Sequence, residues 1–310
     1  MSVPRLESVE LHDPGAALHA TFVPGAGMLC SSLRHRGQEL LAQNAGVAAY
    51  AQSGKTMGIP LLYPWANRLA GFDYGVDGRL LSVPHDLSRV RLDAAGLPIH
   101  GVIGGRLAWE QGAAPDSGGS SLSASLDWGG LAPELFAVFP FRHELHYRVR
   151  LHGGCLEAEL TVDACGGDPV PVSFGLHPYL SLPGSARESW LVELPAMRAL
   201  ELDAQQIPTG STQALAAQRF QLRQRQFDDG FDGVGQQARF SVADASRRIA
   251  LTLLDGYPCA QVFAPAGSQF ICFEPMTAPA NALRSGNGLR VLAPGERFHA
   301  RFSVAVSDSR

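Results

Sequence analysis

Polar and apolar positions alternate along much of the chain. Leu122 to Trp128 alternates residue by residue, and so does the run from Arg142 to His152. Gly153-Gly154 then suits a tight turn, after which Cys155 to Val162 alternates again. Side chains on a strand point to opposite faces in turn, so a period of two predicts half-buried strands. Two such runs flanking a glycine pair predict an antiparallel hairpin. Further strands are predicted over 17–23, 29–34, 79–83, 170–176, 190–194, 238–243, 248–254, 259–263, 269–274 and 297–306. Helical spacing is scarce, with candidates only at 39–52, 132–138 and 212–226. The pieces 113–121 and 203–237 read as loops, the second with some helix in it. Many strands and few helices predict an all-β fold, a large antiparallel β-sandwich rather than βαβ units. No linker, repeat or composition break interrupts residues 1–310, which are expected to form a single domain.

Composition narrows the function more than the fold. Only 17% of the 310 residues are charged and the net charge is −4, which excludes nucleic-acid binding driven by bulk positive charge. The 34 glycines and 21 prolines follow no Gly-X-Y period, so they mark turns rather than collagen or disorder. No apolar run approaches the ~18 residues of a membrane span, and the opening MSVPRLESVE lacks the apolar stretch of a secretory signal. A cytoplasmic protein with neither membrane nor nucleic-acid partner is expected. Five cysteines (Cys30, Cys155, Cys165, Cys259, Cys272) without a C-x-x-C pair read as reduced thiols rather than a disulfide framework or zinc site. Lys55 is the one lysine, so Schiff-base chemistry would rest on a single residue.

Several familiar signatures fail. There is no G-x-S-x-G elbow. Gly54-Lys55-Thr56 lacks the first glycine of a P-loop, because Ala49 stands there, and Gly25-Ala-Gly27 is followed by Cys30 where a dinucleotide fingerprint needs glycine. His143-Glu-Leu-His146 is one residue short of H-E-x-x-H, and on a strand its two histidines face opposite sides. No metal and no cofactor is expected.

Four segments set polar chemistry in apolar surroundings. Asn67-Arg68 follows the proline-rich run Gly58 to Ala66 and offers donors and an acceptor suited to vicinal sugar hydroxyls, or else an Arg–carboxylate pair closing a loop. His100-Gly101 lies in a glycine-rich stretch, where the histidine is structural or functional. His177 follows a predicted strand and precedes Pro178, which favours extended backbone before it; it projects into a cleft or caps a loop. Glu274 shares a strand face with Phe270 and Cys272, and an unpaired charge there is costly. Either an arginine pairs with it, Arg68 or Arg284 being available, or its pKa is raised for work as a base.

In this order the segments resemble the aldose 1-epimerase (galactose mutarotase-like) family. The residues that carry the resemblance are Asn67-Arg68, His100-Gly101, His177-Pro-Tyr179, Asp228-Asp229-Gly-Phe231 and Glu274 with the tail to Ala282, within a β-rich pattern over about residues 5–306. The resemblance implies a large supersandwich with a carbohydrate cleft on one concave sheet. It implies Glu274 as base on the anomeric hydroxyl and His177 as acid on the ring oxygen, with Asn67, Arg68, His100 and Asp228 as substrate contacts. The doubled aspartate leaves Asp229 as an alternative to Asp228. Leu180-Ser-Leu-Pro replaces the family's commoner Phe-Asn-Leu after the tyrosine, which bears on substrate preference.

The implied reaction, interconversion of the α and β anomers of a free hexose such as glucose or galactose, needs one base and one acid and no other group. A bell-shaped pH profile with limbs set by Glu274 and His177 is expected, and a flat one from about pH 5 to 8, where histidine normally titrates, would count against His177 as the acid. Three rivals stand beside it. A hexose-6-phosphate mutarotase would need further cations, for which Arg68 and Arg106 are available. A non-catalytic sugar-binding protein would keep the fold without the turnover. A glycoside hydrolase would pair Asp228 with Glu274 and leave the histidines without a purpose.

Overall fold

The computed structural model describes residues 6–85, 88–102, 107–112 and 119–309. Two large antiparallel sheets face each other. The nine-stranded sheet runs, edge to edge, Gln218–Gln221, Leu191–Leu194, Ala238–Ala243, Arg247–Asp255, Arg297–Asp308, Cys155–Asp163, Glu144–His152, Ser121–Asp127 and Glu110–Gln111. The second sheet runs Pro208–Leu215, Met197–Leu202, Phe227–Asp232, Cys259–Ala264, Ile271–Met276, Gly175–Leu176 and Leu61–Leu62, with Tyr179–Leu180 also pairing on Ile271–Met276. A smaller four-stranded sheet is built from Val9–Asp13, Leu18–Val23, Leu29–His35 and Gln38–Glu39.

The period-two pattern does what it predicts. In Glu144–His152 and Cys155–Asp163, joined by Gly153-Gly154, every second side chain is buried. Those apolar faces and the inner face of the second sheet form one core, in which Phe240 of one sheet meets Phe273 of the other at 5.5 Å between ring centroids. Because neighbours on a strand face opposite ways, Phe273 in the core sends Glu274 to the outer face of its sheet.

The sequence misreads several stretches. Residues 203–237, expected as loop with helix over 212–226, instead contain the strands Pro208–Leu215, Gln218–Gln221 and Phe227–Asp232. Pro208–Leu215 is an edge strand with almost every residue exposed, so it has no apolar face to alternate. The helices expected at 39–52 and 132–138 shrink to Gly46–Ser53 and Pro133–Phe136. The strand expected over 170–176 divides into Val170–Val172 and Gly175–Leu176, because the chain changes partners: the first pairs with Arg290–Leu292, the second with Ile271–Met276 and Leu61–Leu62. Of the loop expected over 113–121, residues 113–118 lie outside the described residues, and Ser121 already begins a strand. Among the described residues no helix is long and apolar enough to cross a membrane.

Candidate active site

Strand register assembles the cleft floor. Asp228 pairs with Phe263, Phe263 with Cys272 and Cys272 with Tyr179, forming one row across four strands. In the next row Gly230 pairs with Gln261 and Gln261 with Glu274. His177 comes between Gly175, which pairs with Met276, and Tyr179, which pairs with Cys272, and so reaches Glu274 from the adjoining strand. Its Nε2 lies 3.2 Å from Glu274 Oε1. Loops close the rim, and a cavity of about 210 Å³ brings together Asn67, Arg68, His100, His177, Asp228 and Glu274. The six residues that the resemblance implies for the site therefore line one space.

Arg68 organises one wall. Its Nε donates to Asp93 Oδ2 at 2.8 Å, and its two terminal nitrogens donate to Asn67 Oδ1 at 3.1 Å and Asp228 Oδ2 at 3.2 Å. Gln261 Nε2 donates to the other oxygen of Asp228 at 2.7 Å. Burial alone would raise the Asp93 carboxyl, but the Leu97 N–H, the Arg68 guanidinium and the Ala95 N–H together hold it below its ordinary value. Asn67 is buried in a left-handed backbone conformation, and its side-chain oxygen is committed to Arg68. The tail after Glu274 secures this wall: the Asn281 N–H donates to the Arg68 carbonyl, and the Ala70 N–H donates to Asn281 Oδ1.

His100 adjoins the same wall, its N–H donating to the Asn67 carbonyl at 3.0 Å, and with φ +64° it meets the His177 ring edge-on at 5.5 Å. Gly101 makes this placement possible. It has φ +67°, and a Cβ there would fall 2.0 Å from the Tyr63 carbonyl oxygen, so only glycine fits. Burial, then the charges of His177, Arg91 and Arg68, lower the His100 pKa well below its usual value.

The floor pair is almost wholly withdrawn from water, with Glu274 2% and His177 4% exposed. Burial pushes the Glu274 carboxyl well up and the neighbouring Asp228 adds to the shift, against the pull of Arg68. Burial lowers the His177 imidazole to about 3. Both directions favour an uncharged acid beside a neutral imidazole. That form and the carboxylate–imidazolium form contain the same single proton and differ only in which atom carries it. His177 Nδ1, His100 Nδ1 and Glu274 Oε2 are buried without a hydrogen-bond partner, a concentration of unsatisfied atoms that marks a place built for something polar to enter.

The alternatives left open by the sequence now separate. Arg68 turns to Asp93 and Asp228, and Arg284 turns to Asp73 at 2.9 Å, so Glu274 gains its raised pKa rather than an arginine partner. Of the doubled aspartates, Asp228 lines the cleft while Asp229 is exposed on the other face. Arg68 is committed to carboxylates, and Arg106 lies outside the described residues. The pH limb expected from an ordinary histidine is displaced, because burial carries His177 out of the neutral range. His143 and His146 face opposite ways as expected, His143 buried and His146 paired with Asp163. Among the described residues no group of three or more His, Cys, Asp or Glu side chains could hold a metal ion.

Sequence reasoning missed Thr56, Arg91, Asp93, Gln261 and Phe263, all of which line the cavity. Tyr179 appeared only as part of a motif, yet it stacks on His177 at 4.3 Å with rings 8° from parallel. Gln261 carried a usable signal, a polar residue on the otherwise apolar strand Cys259–Ala264.

Comparison with known proteins agrees with this architecture. The aldose 1-epimerase family model matches residues 7–305. The uncharacterized protein YihR of Escherichia coli K12 is 23% identical over 320 residues, covering 98% of this chain and 97% of YihR. Among solved structures, the Slr1438 protein from Synechocystis sp. PCC 6803 superposes with a TM-score of 0.79 at 24% identity, covering 100% of this chain and 98% of its own. A galactose mutarotase-like protein from Clostridium acetobutylicum gives 0.79 at 16% identity, covering 98% and 99%. The GalM/aldose epimerase homologue from C. elegans gives 0.77 at 17% identity, again covering 98% and 99%. These structures share the fold, and with the family model spanning nearly the whole length, the chain belongs to the aldose 1-epimerase family.

Proposed function

We propose that the chain is a mutarotase that interconverts the α and β anomers of a free aldohexose such as glucose or galactose, acting as a single cytoplasmic catalytic unit. The observation that carries the reading is the buried Glu274–His177 pair, 3.2 Å apart in a cleft lined by hydroxyl-binding groups. In the opening step Glu274 takes the O1 proton, the C1–O5 bond breaks as C1=O1 forms, and His177 gives a proton to O5. Rotation about C1–C2 turns the other aldehyde face toward O5. Closure then runs backwards: His177 recovers the O5 proton and Glu274 returns one to O1. Atoms and protons balance within the pair and the sugar, so the reaction needs no metal, nucleotide or covalent intermediate.

Opening begins from the carboxylate–imidazolium form, and closure begins from the uncharged form that burial favours. The pair therefore passes between two arrangements of one proton during each turnover. Arg68, His100 and Asp228 offer donors and acceptors to the sugar hydroxyls, and Asn67 contributes by fixing Arg68. Polarimetry on freshly dissolved α-glucose and α-galactose tests the proposal. The enzyme should accelerate the drift to equilibrium well beyond the buffer rate. Sugar binding by calorimetry with an unchanged drift would instead identify a non-catalytic sugar-binding protein.

A further inference from the structure

The segment from Arg91 to Ile99 folds back on itself beside the cleft. The Ile99 N–H donates to the Arg91 carbonyl and the Asp93 N–H to the Leu97 carbonyl, each at 2.9 Å, and Gly96 turns the tip with φ +79°. The returning arm of this small hairpin pairs with the Arg68 segment. Ile99 bridges Arg68 in antiparallel fashion, and the Leu69 N–H donates to the Pro98 carbonyl at 2.9 Å. That docking brings the Asp93 side chain to the Arg68 guanidinium.

Asp93 has a different task for each oxygen. Its Oδ1 accepts the Ala95 and Leu97 N–H groups, each at 2.9 Å, which closes the turn. Its Oδ2 accepts Arg68 Nε at 2.8 Å. The turn needs only one side-chain oxygen, which serine or asparagine can also supply. The second oxygen serves Arg68 alone. The pair is shielded from water, Asp93 being 9% and Arg68 14% exposed at the side chain. A guanidinium carries one N–H on Nε and two on each terminal nitrogen. Among the described residues, Arg68 gives the Nε proton to Asp93 and one proton from each terminal nitrogen to Asn67 and Asp228. A second N–H on each terminal nitrogen is left for a ligand. Three fixed points define a plane, and Nε is the one nearest the flexible stem.

We propose that Asp93 is a positioning residue for substrate binding: its carboxylate anchors Arg68 Nε from the hairpin, sets the plane of the guanidinium and so aims the two remaining terminal N–H groups at sugar hydroxyls. It acts through Arg68 and takes no part in proton transfer between Glu274 and His177. The inference rests on the mutarotase reading for the ligand that the fork meets, whereas the anchoring itself depends only on the Asp93–Arg68 pair.

The test compares Asp93→Asn with Asp93→Ser. The asparagine turns an amide N–H either on Arg68 Nε or on the two loop N–H groups, donor against donor in both cases. The serine keeps an oxygen for the turn and withdraws the one that meets Arg68. Each variant should raise KM about tenfold, the worth of one hydrogen bond to a charged group, and leave kcat within about threefold. Adding Arg68→Lys to Asp93→Asn should raise KM little further, because both changes undo the same alignment, whereas independent effects would multiply to roughly a hundredfold. In sugar-free protein, the NMR signal of the Arg68 Nε–H should exchange with water roughly tenfold faster in both variants than in the wild type. An unaltered KM in Asp93→Ser, a loss carried by kcat alone, a multiplicative double variant or an unchanged Nε–H exchange would each overturn the proposal. If the wild type accelerates no aldose, the mutarotase reading falls, while the exchange rates and calorimetric sugar affinity across the same variants still decide the role of Asp93.

Discussion

His177 Nε2 and Glu274 Oε1 stand 3.2 Å apart with both side chains shielded from water, and their pKa shifts run in opposite directions. The consequence is a wide interval in which the pair holds one proton. It gains a second only where His177, lowered to about 3, titrates, and loses its last where the raised Glu274 titrates. kcat should therefore stay level from about pH 5 to 8, the range in which an ordinary histidine would impose a limb. A pH series by polarimetry checks this, and a steep fall centred near the ordinary histidine pKa would show that His177 is not held neutral by burial.

Glu274→Gln keeps the shape of the side chain and a hydrogen-bonding group beside His177, yet cannot exchange the O1 proton. The expected loss in kcat is ~10²–10⁴-fold with sugar binding nearly intact. Polarimetry paired with calorimetric titration separates the two effects, and an unchanged rate would remove Glu274 as the base.

Arg68 joins three acceptors on three different segments: Asn67, Asp93 and Asp228. A lysine retains the charge but cannot span them, because an ammonium lacks the planar fork. Arg68→Lys should raise KM by about tenfold, the worth of one or two such bonds, with a smaller change in kcat. A variant that lost kcat alone would place Arg68 in the proton transfer itself.

His143 is fully buried, contacts the Tyr63 hydroxyl at 2.5 Å and the Phe141 carbonyl at 2.7 Å, and is lowered to about 4, chiefly by burial. Between the ordinary histidine pKa and that value the unfolded chain binds a proton that the native state refuses. Stability should consequently fall as pH drops through this window, by up to about 3 kcal/mol from this group, and His143 should add nothing further below it. Urea unfolding at a series of pH values should show a shallower acid slope in His143→Phe than in the wild type, although the variant starts less stable for want of two hydrogen bonds. Equal slopes would mean that His143 is protonated in the native protein.

Gly101→Ala places a methyl group against the Tyr63 carbonyl at a positive φ. A cost of at least ~2 kcal/mol is expected, together with a displaced His100 and a raised KM. A variant as stable as the wild type by thermal melting would show that the loop has room to shift.

How much of this could be read from the residues depends on where each residue's partners lie. The hairpin at Gly153-Gly154 and the apolar strand bearing Glu274 were legible because alternation is a local signal. Glu274 announced itself as a charge with no business on an apolar face, and Gln261 in the next strand did the same less loudly. Asp93, Thr56 and Arg91 sit in no motif and reach the cleft only because loops bring them there. Pro208–Leu215 was invisible as a strand because an exposed edge leaves polar residues on both faces. The family resemblance gathered residues that meet in one cavity, but only the geometry shows Arg68 shared among its three partners and Glu274 without an arginine.

The strand Arg297–Asp308 is fifth of nine in its sheet, between Arg247–Asp255 and Cys155–Asp163. A chain interrupted before it would not lose a border; it would be left with two half-sheets, each presenting a long unpaired flank of backbone amides and carbonyls. Such flanks pair readily with one another across molecules. Premature stops near this end should therefore give aggregated protein, not a trimmed and soluble one.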